Sequence, residues 1–204
     1  MTLYLIRHGE TALNAARVLQ TAATPLSERG LAQAQALAQR LKSASITALL
    51  SSDMPRALQT AQAVAAACDL PIKTSALLHE RNFGDLRGLP YDLLGYNPLT
   101  ADEAPPNGES GAQFAARCQA AWAEVLRLRA ECGGTLAVVS HGLVLRQWLQ
   151  PQRIDFGDHA SPEAWANTSL SIVQAAPPHR LELINCTRHL NDSDQHDSRS
   201  LSGG

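Results

Sequence analysis

Apolar runs and amphipathic stretches alternate along most of this chain, which predicts strands that alternate with helices. The apolar runs cover residues 3–6, 46–50, 135–139, 169–174 and 181–184, and a shorter run at 70–73 predicts a brief edge strand. Apolar residues recur at helical spacing over residues 27–42, 55–67 and 110–130, and again from residue 143. This order predicts an α/β protein with a mostly parallel sheet that is covered by helices on both faces.

Local sequence features indicate where the predicted helices begin and which strand is buried. Ser27 is a good N-cap for the first long helix, and Pro55 is tolerated in the first turn of the second. The run at 135–139 is apolar throughout and rich in β-branched residues. It therefore predicts a central strand that is buried on both faces.

Residues 79–110 break the alternation. Their charged residues are interleaved with glycines, prolines and two tyrosines, and they show little periodicity. Loops of this length are usually functional or disordered, and the aromatic and charged content favours function. We expect an irregular lid within a single domain of residues 1–190. Residues 191–204 are polar except for Leu201, so they predict a disordered tail.

Composition narrows the class of protein. Hydrophobic residues make up 45% of the chain and charged residues 18%, which is ordinary for a globular protein. The net charge of -2 provides no basic field, so nucleic acid is not an expected partner. The chain has no long apolar run and no basic leader at its start, so we expect a cytoplasmic protein without a membrane anchor.

The four cysteines are Cys68, Cys118, Cys132 and Cys186, and they are far apart in the sequence. None of them forms a C-x-x-C pair, which argues against a zinc site and against a disulfide framework. Cys118 falls on the apolar face of a predicted helix, so we expect it in the core.

Two of the predicted strands are followed by the same pattern, which is a polar residue, a histidine and a glycine. Arg7-His8-Gly9 follows the first strand, and Ser140-His141-Gly142 follows the strand at 135–139. If these strands are parallel neighbours, both histidines lie at the sheet edge where ligands bind in open α/β folds. A third strand leads to Ser52, and Arg56 follows in the next helix. We therefore expect these side chains to share one site.

Two guanidiniums and two imidazoles suit a phosphate group. Guanidinium forks bind phosphate oxygens in a bidentate manner, and helix N-termini favour anions. A carboxylate substrate is the alternative, although two arginines and two histidines exceed what one carboxylate needs. A neutral histidine can attack phosphorus, which predicts a phosphohistidine intermediate. Glu80 is the best placed acid for the leaving oxygen, and Asp53 is the alternative.

Five motifs then form a recognisable set. They are residues 5–11 (LIRHGET) with Asn14, residues 51–61 (SSDMPRALQTA), residues 80–84 (ERNFG), residues 108–110 (GES) and residues 139–142 (VSHG). In this order they resemble the histidine phosphatase superfamily, also called phosphoglycerate mutase-like, over about residues 3–146. The resemblance implies a three-layer α/β/α Rossmann-like fold and an enzyme that uses no metal and no other cofactor.

The resemblance also implies roles for individual residues. His8 is expected to be phosphorylated, and Glu80 is expected to be the proton donor. The rest of the phosphate pocket is expected to consist of Arg7, Arg56 and His141, with Asn14 as an auxiliary contact. Gln20 and Thr21 are further candidate phosphate contacts, and Thr21 departs from many family members, which have glycine at that position.

Three functions compete. Hydrolysis of the phosphohistidine makes the protein a phosphomonoesterase for a small phosphorylated metabolite. Return of the phosphoryl group to the substrate makes it a mutase, but family mutases carry lysines and arginines after the glutamate motif, and residues 88–108 contain neither. A non-catalytic phospholigand-binding protein would usually lack a catalytic residue, and none is missing. The acidic residues of the lid favour a small monophosphate as the substrate. The apolar strands predicted late in the chain suggest a homodimer.

Overall fold

The computed structural model describes residues 2–191, which form one six-stranded sheet with helices against both faces. The strands are β1 (Thr2–Arg7), β2 (Ile46–Ser51), β3 (Ile72–Thr74), β4 (Thr135–Ser140), β5 (Leu170–Gln174) and β6 (Leu181–Cys186). The helices are α1 (Ala12–Ala15), α2 (Glu28–Leu41), α3 (Pro55–Cys68), α4 (Gly111–Glu131) and α5 (Gly142–Trp148). The predicted α/β class is confirmed. The predicted disordered tail lies outside the described residues, except for Asn191.

The strands lie in the order β3-β2-β4-β1-β5-β6. Strands β3, β2, β4 and β1 are parallel to one another, whereas β5 is antiparallel to β1 and β6 is antiparallel to β5. The predicted mostly parallel sheet is therefore confirmed. Only residues 175–180 connect β5 to β6, and a connection this short joins antiparallel strands because a parallel crossover needs a dozen residues or more.

The central strands are buried on both faces because their alternating residues enter two separate cores. Leu5 of β1 and Val138 of β4 belong to the core that α4 and α5 cover. Ile6 of β1 and Val139 of β4 belong to the core that α2 and α3 cover. This arrangement gives three layers, with the sheet in the middle. Because both sides of β4 face a core, the residues of this strand are apolar on both sides rather than at alternate positions only.

The segment between β3 and α4 contains three short 3-10 turns, which are Ala76–Leu78, Gly84–Leu86 and Tyr91–Leu93. Backbone hydrogen bonds tie it to the loop after β1, since the amide of Leu19 donates to the carbonyl of Leu89 at 3.0 Å and the amide of Gly88 donates to the carbonyl of Leu19 at 2.7 Å. The Arg81 guanidinium donates to the carbonyls of Pro98, Glu103 and Glu109. The segment is thus irregular in backbone but held by many polar contacts.

Across residues 2–191, none of the helices is both long enough and apolar enough to cross a lipid bilayer.

Helix α2 docks closely against the turn that follows β1. Ser27 caps this helix by accepting a hydrogen bond from the amide of Gly30 at 3.0 Å, as its sequence position predicts. The amide of Ser27 donates to the carbonyl of Glu10 at 2.9 Å. A Cβ atom at Gly30 would lie 2.0 Å from that same carbonyl oxygen, so only glycine allows the approach.

We expect Gly30→Ala to lower the free energy of unfolding by about 2 to 3 kcal/mol, because the added methyl group forces α2 away from Glu10. For a domain of this size the loss corresponds to a fall in Tm of roughly 4 to 12 °C, measured by thermal denaturation followed by circular dichroism. Gln35→Ala, at an exposed position of the same helix, is the matched control and should leave Tm nearly unchanged. An unaltered Tm for Gly30→Ala would show that the docking tolerates a side chain.

Candidate functional site

Three strands deliver polar side chains to one edge of the sheet. Arg7 of β1 pairs in register with Ser140 of β4, so His8 and His141 emerge side by side, with ring centroids 5.1 Å apart. The amide of Ser52, just after β2, donates to the carbonyl of Val139 at 2.9 Å, which places Ser52 beside them. The parallel pairing that the sequence suggested thus brings both histidines together.

His8 is fully buried and held in one tautomer. Its Nδ1 lies 2.7 Å from the carbonyl oxygen of Gly9, and because a carbonyl only accepts, Nδ1 must carry the proton. Its Nε2 has no hydrogen-bond partner among residues 2–191. Burial, with the positive charges of Arg56 and Arg7, lowers the pKa of His8 well below its ordinary range. The ring is therefore neutral at neutral pH, with a lone pair on Nε2.

The backbone around His8 is held from two further directions. Its carbonyl accepts hydrogen bonds from the amide of Thr168 and from Nδ2 of Asn167, both at 3.2 Å. The amide of Gly9 donates to Oγ1 of Thr60 on α3 at 3.0 Å. These contacts fix the position of the ring relative to α3 and to the start of β5.

Arg7 and Arg56 are both buried at this edge. Arg7 donates to the carbonyl of Trp165, and Nη1 of Arg56 donates to the carbonyl of Thr21 at 3.1 Å. Burial lowers the pKa of each guanidinium to about 10, partly opposed by the nearby Glu80 carboxyl. Both remain cationic at neutral pH. Two buried cations create a strong preference for an anion of high charge, such as a phosphate dianion.

Glu80 enters the site from the irregular segment and is only 3% exposed. Its two carboxyl oxygens accept hydrogen bonds from the amides of Arg81 and Leu143, each at 3.1 Å. Burial raises the pKa of Glu80, although the two amides and the charges of Arg56 and Arg7 oppose the shift. The carboxyl group therefore keeps a proton at a higher pH than an exposed glutamic acid does, as a general acid requires.

His141 completes the buried set. Its Nε2 lies 2.9 Å from Oγ of Ser52, and its Nδ1 has no hydrogen-bond partner in the described part of the chain. Burial and the charge of Arg56 lower the pKa of His141 well below its ordinary range. As a neutral ring it can donate one hydrogen bond to a phosphate oxygen.

The predicted auxiliary residues Asn14 and Gln20 surround Thr11. The Thr11 hydroxyl lies 2.7 Å from Oε1 of Gln20 and 3.3 Å from Oδ1 of Asn14, and Asn14 is part of the capping box of α1. Both side chains thus shape the turn that follows His8. Thr21 is brought to the site through its carbonyl, which orients Arg56.

The alternative acid, Asp53, is exposed, whereas Glu80 is buried. The Asp53 side chain is 49% exposed and pairs with His79. Burial therefore distinguishes it from Glu80 and favours Glu80 as the proton donor. The sequence did not single out His79, which lines the cleft through this pair.

A cleft of about 510 Å³ opens beside Glu80, a size that suits a small ligand. It is lined by Ala22, Asp53, Met54, Pro55, Ala76, His79, Glu80, Asn82, Arg87, Glu109 and Arg117. Sequence reasoning assigned no role to Thr60, Trp165 or Arg117, because each of them acts through a hydrogen bond between a side chain and a backbone group far apart in the chain. Residues 2–191 contain no group of three or more His, Cys, Asp or Glu side chains placed to hold a metal ion.

Comparisons with known proteins point to one family. The sequence model of the histidine phosphatase superfamily (branch 1) matches residues 3–187. A protein of Yersinia pestis named probable phosphoglycerate mutase GpmB is 39% identical over 155 residues, which cover 71% of each chain. Among solved structures, Bacillus stearothermophilus YhfR is 28% identical with a TM-score of 0.78, and it covers 93% of this chain and 99% of its own. A mycobacterial glucosyl-3-phosphoglycerate phosphatase complexed with VO3 is 26% identical with a TM-score of 0.75, covering 91% and 99%.

Proposed function

The chain belongs to the histidine phosphatase superfamily, and we propose that it is a phosphomonoesterase that hydrolyses a small phosphorylated metabolite through a phosphohistidine on His8. The observation that carries the proposal is the environment of His8 Nε2. This atom is buried without a hydrogen-bond partner in residues 2–191, on a ring whose other nitrogen is fixed by the Gly9 carbonyl. A neutral imidazole held in this way, next to two buried guanidiniums, is suited to attack a phosphate group.

In the first step, the Nε2 lone pair of His8 forms a bond to phosphorus and the bond between phosphorus and the leaving oxygen breaks. The proton of the Glu80 carboxyl passes to that oxygen, so the product leaves as a neutral alcohol. Arg7, Arg56 and His141 stabilise the negative charge on the other phosphoryl oxygens. Positioning and electrostatics supply most of the catalysis in this scheme.

In the second step, water attacks the phosphohistidine. The Glu80 carboxylate, now ionised, accepts a proton from the water as its oxygen bonds to phosphorus. The bond between phosphorus and Nε2 breaks, inorganic phosphate leaves, and His8 and Glu80 return to their starting protonation states. No metal ion is needed at either step.

Charge in the cleft supports hydrolysis over mutase chemistry. In the cleft lining, Arg117 is paired with Glu109, and His79 is paired with Asp53. Arg87 also lines the cleft, and it has no ion pair with a carboxylate among residues 2–191. Retaining a bisphosphorylated intermediate requires more positive charge than this. Mutase activity is the second candidate, because the Yersinia pestis relative carries that name.

We expect the purified protein to release phosphate from p-nitrophenyl phosphate without added metal, and not to interconvert 3-phosphoglycerate and 2-phosphoglycerate. Isomerisation followed by 31P NMR would reverse the ranking of the two activities. No turnover between acid and neutral pH would refute the phosphatase proposal. A panel of phosphorylated metabolites, scored by released phosphate, then identifies the substrate.

A cytoplasmic location is part of the proposal. All four cysteines are free, which suits the reducing conditions of the cytoplasm.

A further inference from the structure

Arg117, near the start of α4, binds the backbone of the segment that carries Glu80. Its Nη1 donates to the carbonyls of Leu77 at 2.9 Å and of His79 at 2.7 Å. Its Nη2 lies 3.3 Å from the carbonyl of Glu80 itself. Three carbonyls at or just before the proton donor are therefore held by one side chain.

The other side of the same guanidinium pairs with Glu109. Nε and Nη2 of Arg117 each lie 2.8 Å from a different Glu109 carboxyl oxygen, which is a bidentate ion pair. Glu109 also accepts a hydrogen bond from the amide of Asn82 at 2.9 Å. The pair, which we call the Arg117–Glu109 clamp, thus forms hydrogen bonds with the backbone on both sides of Glu80.

From these contacts we infer that the Arg117–Glu109 clamp is a positioning device for Glu80, which sets both the place of its carboxyl group and the charge around it. The inference rests on the proposed function, in which Glu80 is the general acid. The amides of Arg81 and Leu143 aim the two carboxyl oxygens, but the Arg81 amide stays in place only if the backbone between residues 79 and 82 is fixed. The clamp supplies that constraint.

The charges around Glu80 help to determine the pH at which its carboxyl group loses its proton. The groups whose pKa responds to the charge of Glu80 include Arg7, Arg56, Arg81, Tyr91, Arg117 and Cys118. Burial raises the pKa of Tyr91 and Cys118, so both are neutral at neutral pH. In the proposed mechanism, the substrate phosphate neutralises the charges of Arg7 and Arg56.

Arg117 and Arg81 approach from the backbone side, and Glu109 interacts electrostatically with both. Burial acts to raise the pKa of Glu109, but hydrogen bonds from Arg117 and from the Asn82 amide outweigh burial and lower it, so Glu109 is ionised. Without this negative charge, two cations would stabilise the Glu80 carboxylate. Glu80 would then lose its proton at a lower pH.

Arg117→Lys tests the positioning role. A lysine ammonium cannot hold three carbonyls and a bidentate carboxylate together, so the acid loses its alignment. We expect the phosphorylation step with phenyl phosphate, whose leaving oxygen needs a proton, to slow about 10- to 100-fold, measured as first-turnover release of phenol, with substrate affinity nearly constant. The same first-turnover step with 2,4-dinitrophenyl phosphate, whose leaving oxygen needs no proton, should stay within about 3-fold of the wild-type value. Equal losses on the two substrates would overturn the inference.

Arg127→Gln is the matched control, because Arg127 lies on the same helix in an exposed pair with Glu131. It should change neither substrate's kcat. If Arg117→Lys shows no cooperative thermal unfolding, Glu109→Gln carries the test. For this variant we expect the alkaline limb of kcat for phenyl phosphate to move about half a pH unit to one pH unit lower.

The 13C NMR signal of the Glu80 carboxyl, identified by its loss in Glu80→Gln, gives a readout that does not need turnover. Its titration should move to lower pH in Glu109→Gln, and an unchanged titration would refute the clamp. A wild-type protein that hydrolyses neither aryl phosphate would instead refute the proposed function. The two failures are therefore distinguishable.

Discussion

Replacing His8 with alanine is expected to abolish phosphatase turnover, with kcat falling by about 10⁴-fold or more. The methyl group has no lone pair, so the phosphoryl group has no acceptor at this position. Without the covalent intermediate, the arginines can still bind phosphate but cannot transfer it. Steady-state hydrolysis of p-nitrophenyl phosphate measures the loss.

A quenched reaction with a 32P-labelled substrate provides the more direct measurement. Wild-type protein should carry acid-labile label, as phosphohistidine does, and His8→Ala should carry none. His159→Ala is the matched control, since His159 is exposed and outside the cleft lining. Normal turnover by His8→Ala would mean that the mechanism is not covalent at this residue.

The strands and long helices could be predicted from sequence because each one carries a strong local signal. The run at 135–139 has no polar break and is the strand β4, buried against both cores. Ser27 accepts the capping hydrogen bond that its position suggests, and the helix predicted from residue 110 begins with Ser110 as its N-cap. Such signals depend only on neighbours within about one turn, so no tertiary information is needed.

The strand order and the exact pairing could not be predicted in the same way. The sequence pattern allowed β1 and β4 to be neighbours, but nothing local indicated that β5 would pair antiparallel with the other side of β1. The order of strands depends on which faces pack together across more than 100 positions of chain, and apolar residues do not specify their partners.

Some residues of the candidate site could also be predicted from local sequence patterns, and others could not. His8, Arg56 and His141 follow strand ends or open a helix, so local patterns and the family resemblance indicated them together. Arg117 binds the carbonyls of residues 77, 79 and 80, and a backbone carbonyl carries no residue identity that sequence reasoning can detect. The choice between Glu80 and Asp53 required burial, which only the folded chain provides.

Glu80→Gln should slow the phosphorylation step with phenyl phosphate, measured as first-turnover release of phenol, by about 10²- to 10³-fold while leaving the same step with 2,4-dinitrophenyl phosphate within about 5-fold. Glutamine keeps the shape and one carbonyl acceptor but has no proton to give to a poor leaving group. Burial raises the pKa of Glu80, so wild-type activity should fall as pH rises through that pKa and the acid form is lost.

The pH profile and a matched carboxylate variant decide whether Glu80 holds this role. The alkaline limb for phenyl phosphate should be present in wild type and absent in Glu80→Gln, because the variant has no group to titrate there. Asp53→Asn removes the exposed carboxyl that pairs with His79 and should keep the limb. If Asp53→Asn instead shows the leaving-group dependence and Glu80→Gln does not, the proton comes from Asp53, and the buried carboxyl of Glu80 serves only to hold the segment against α5.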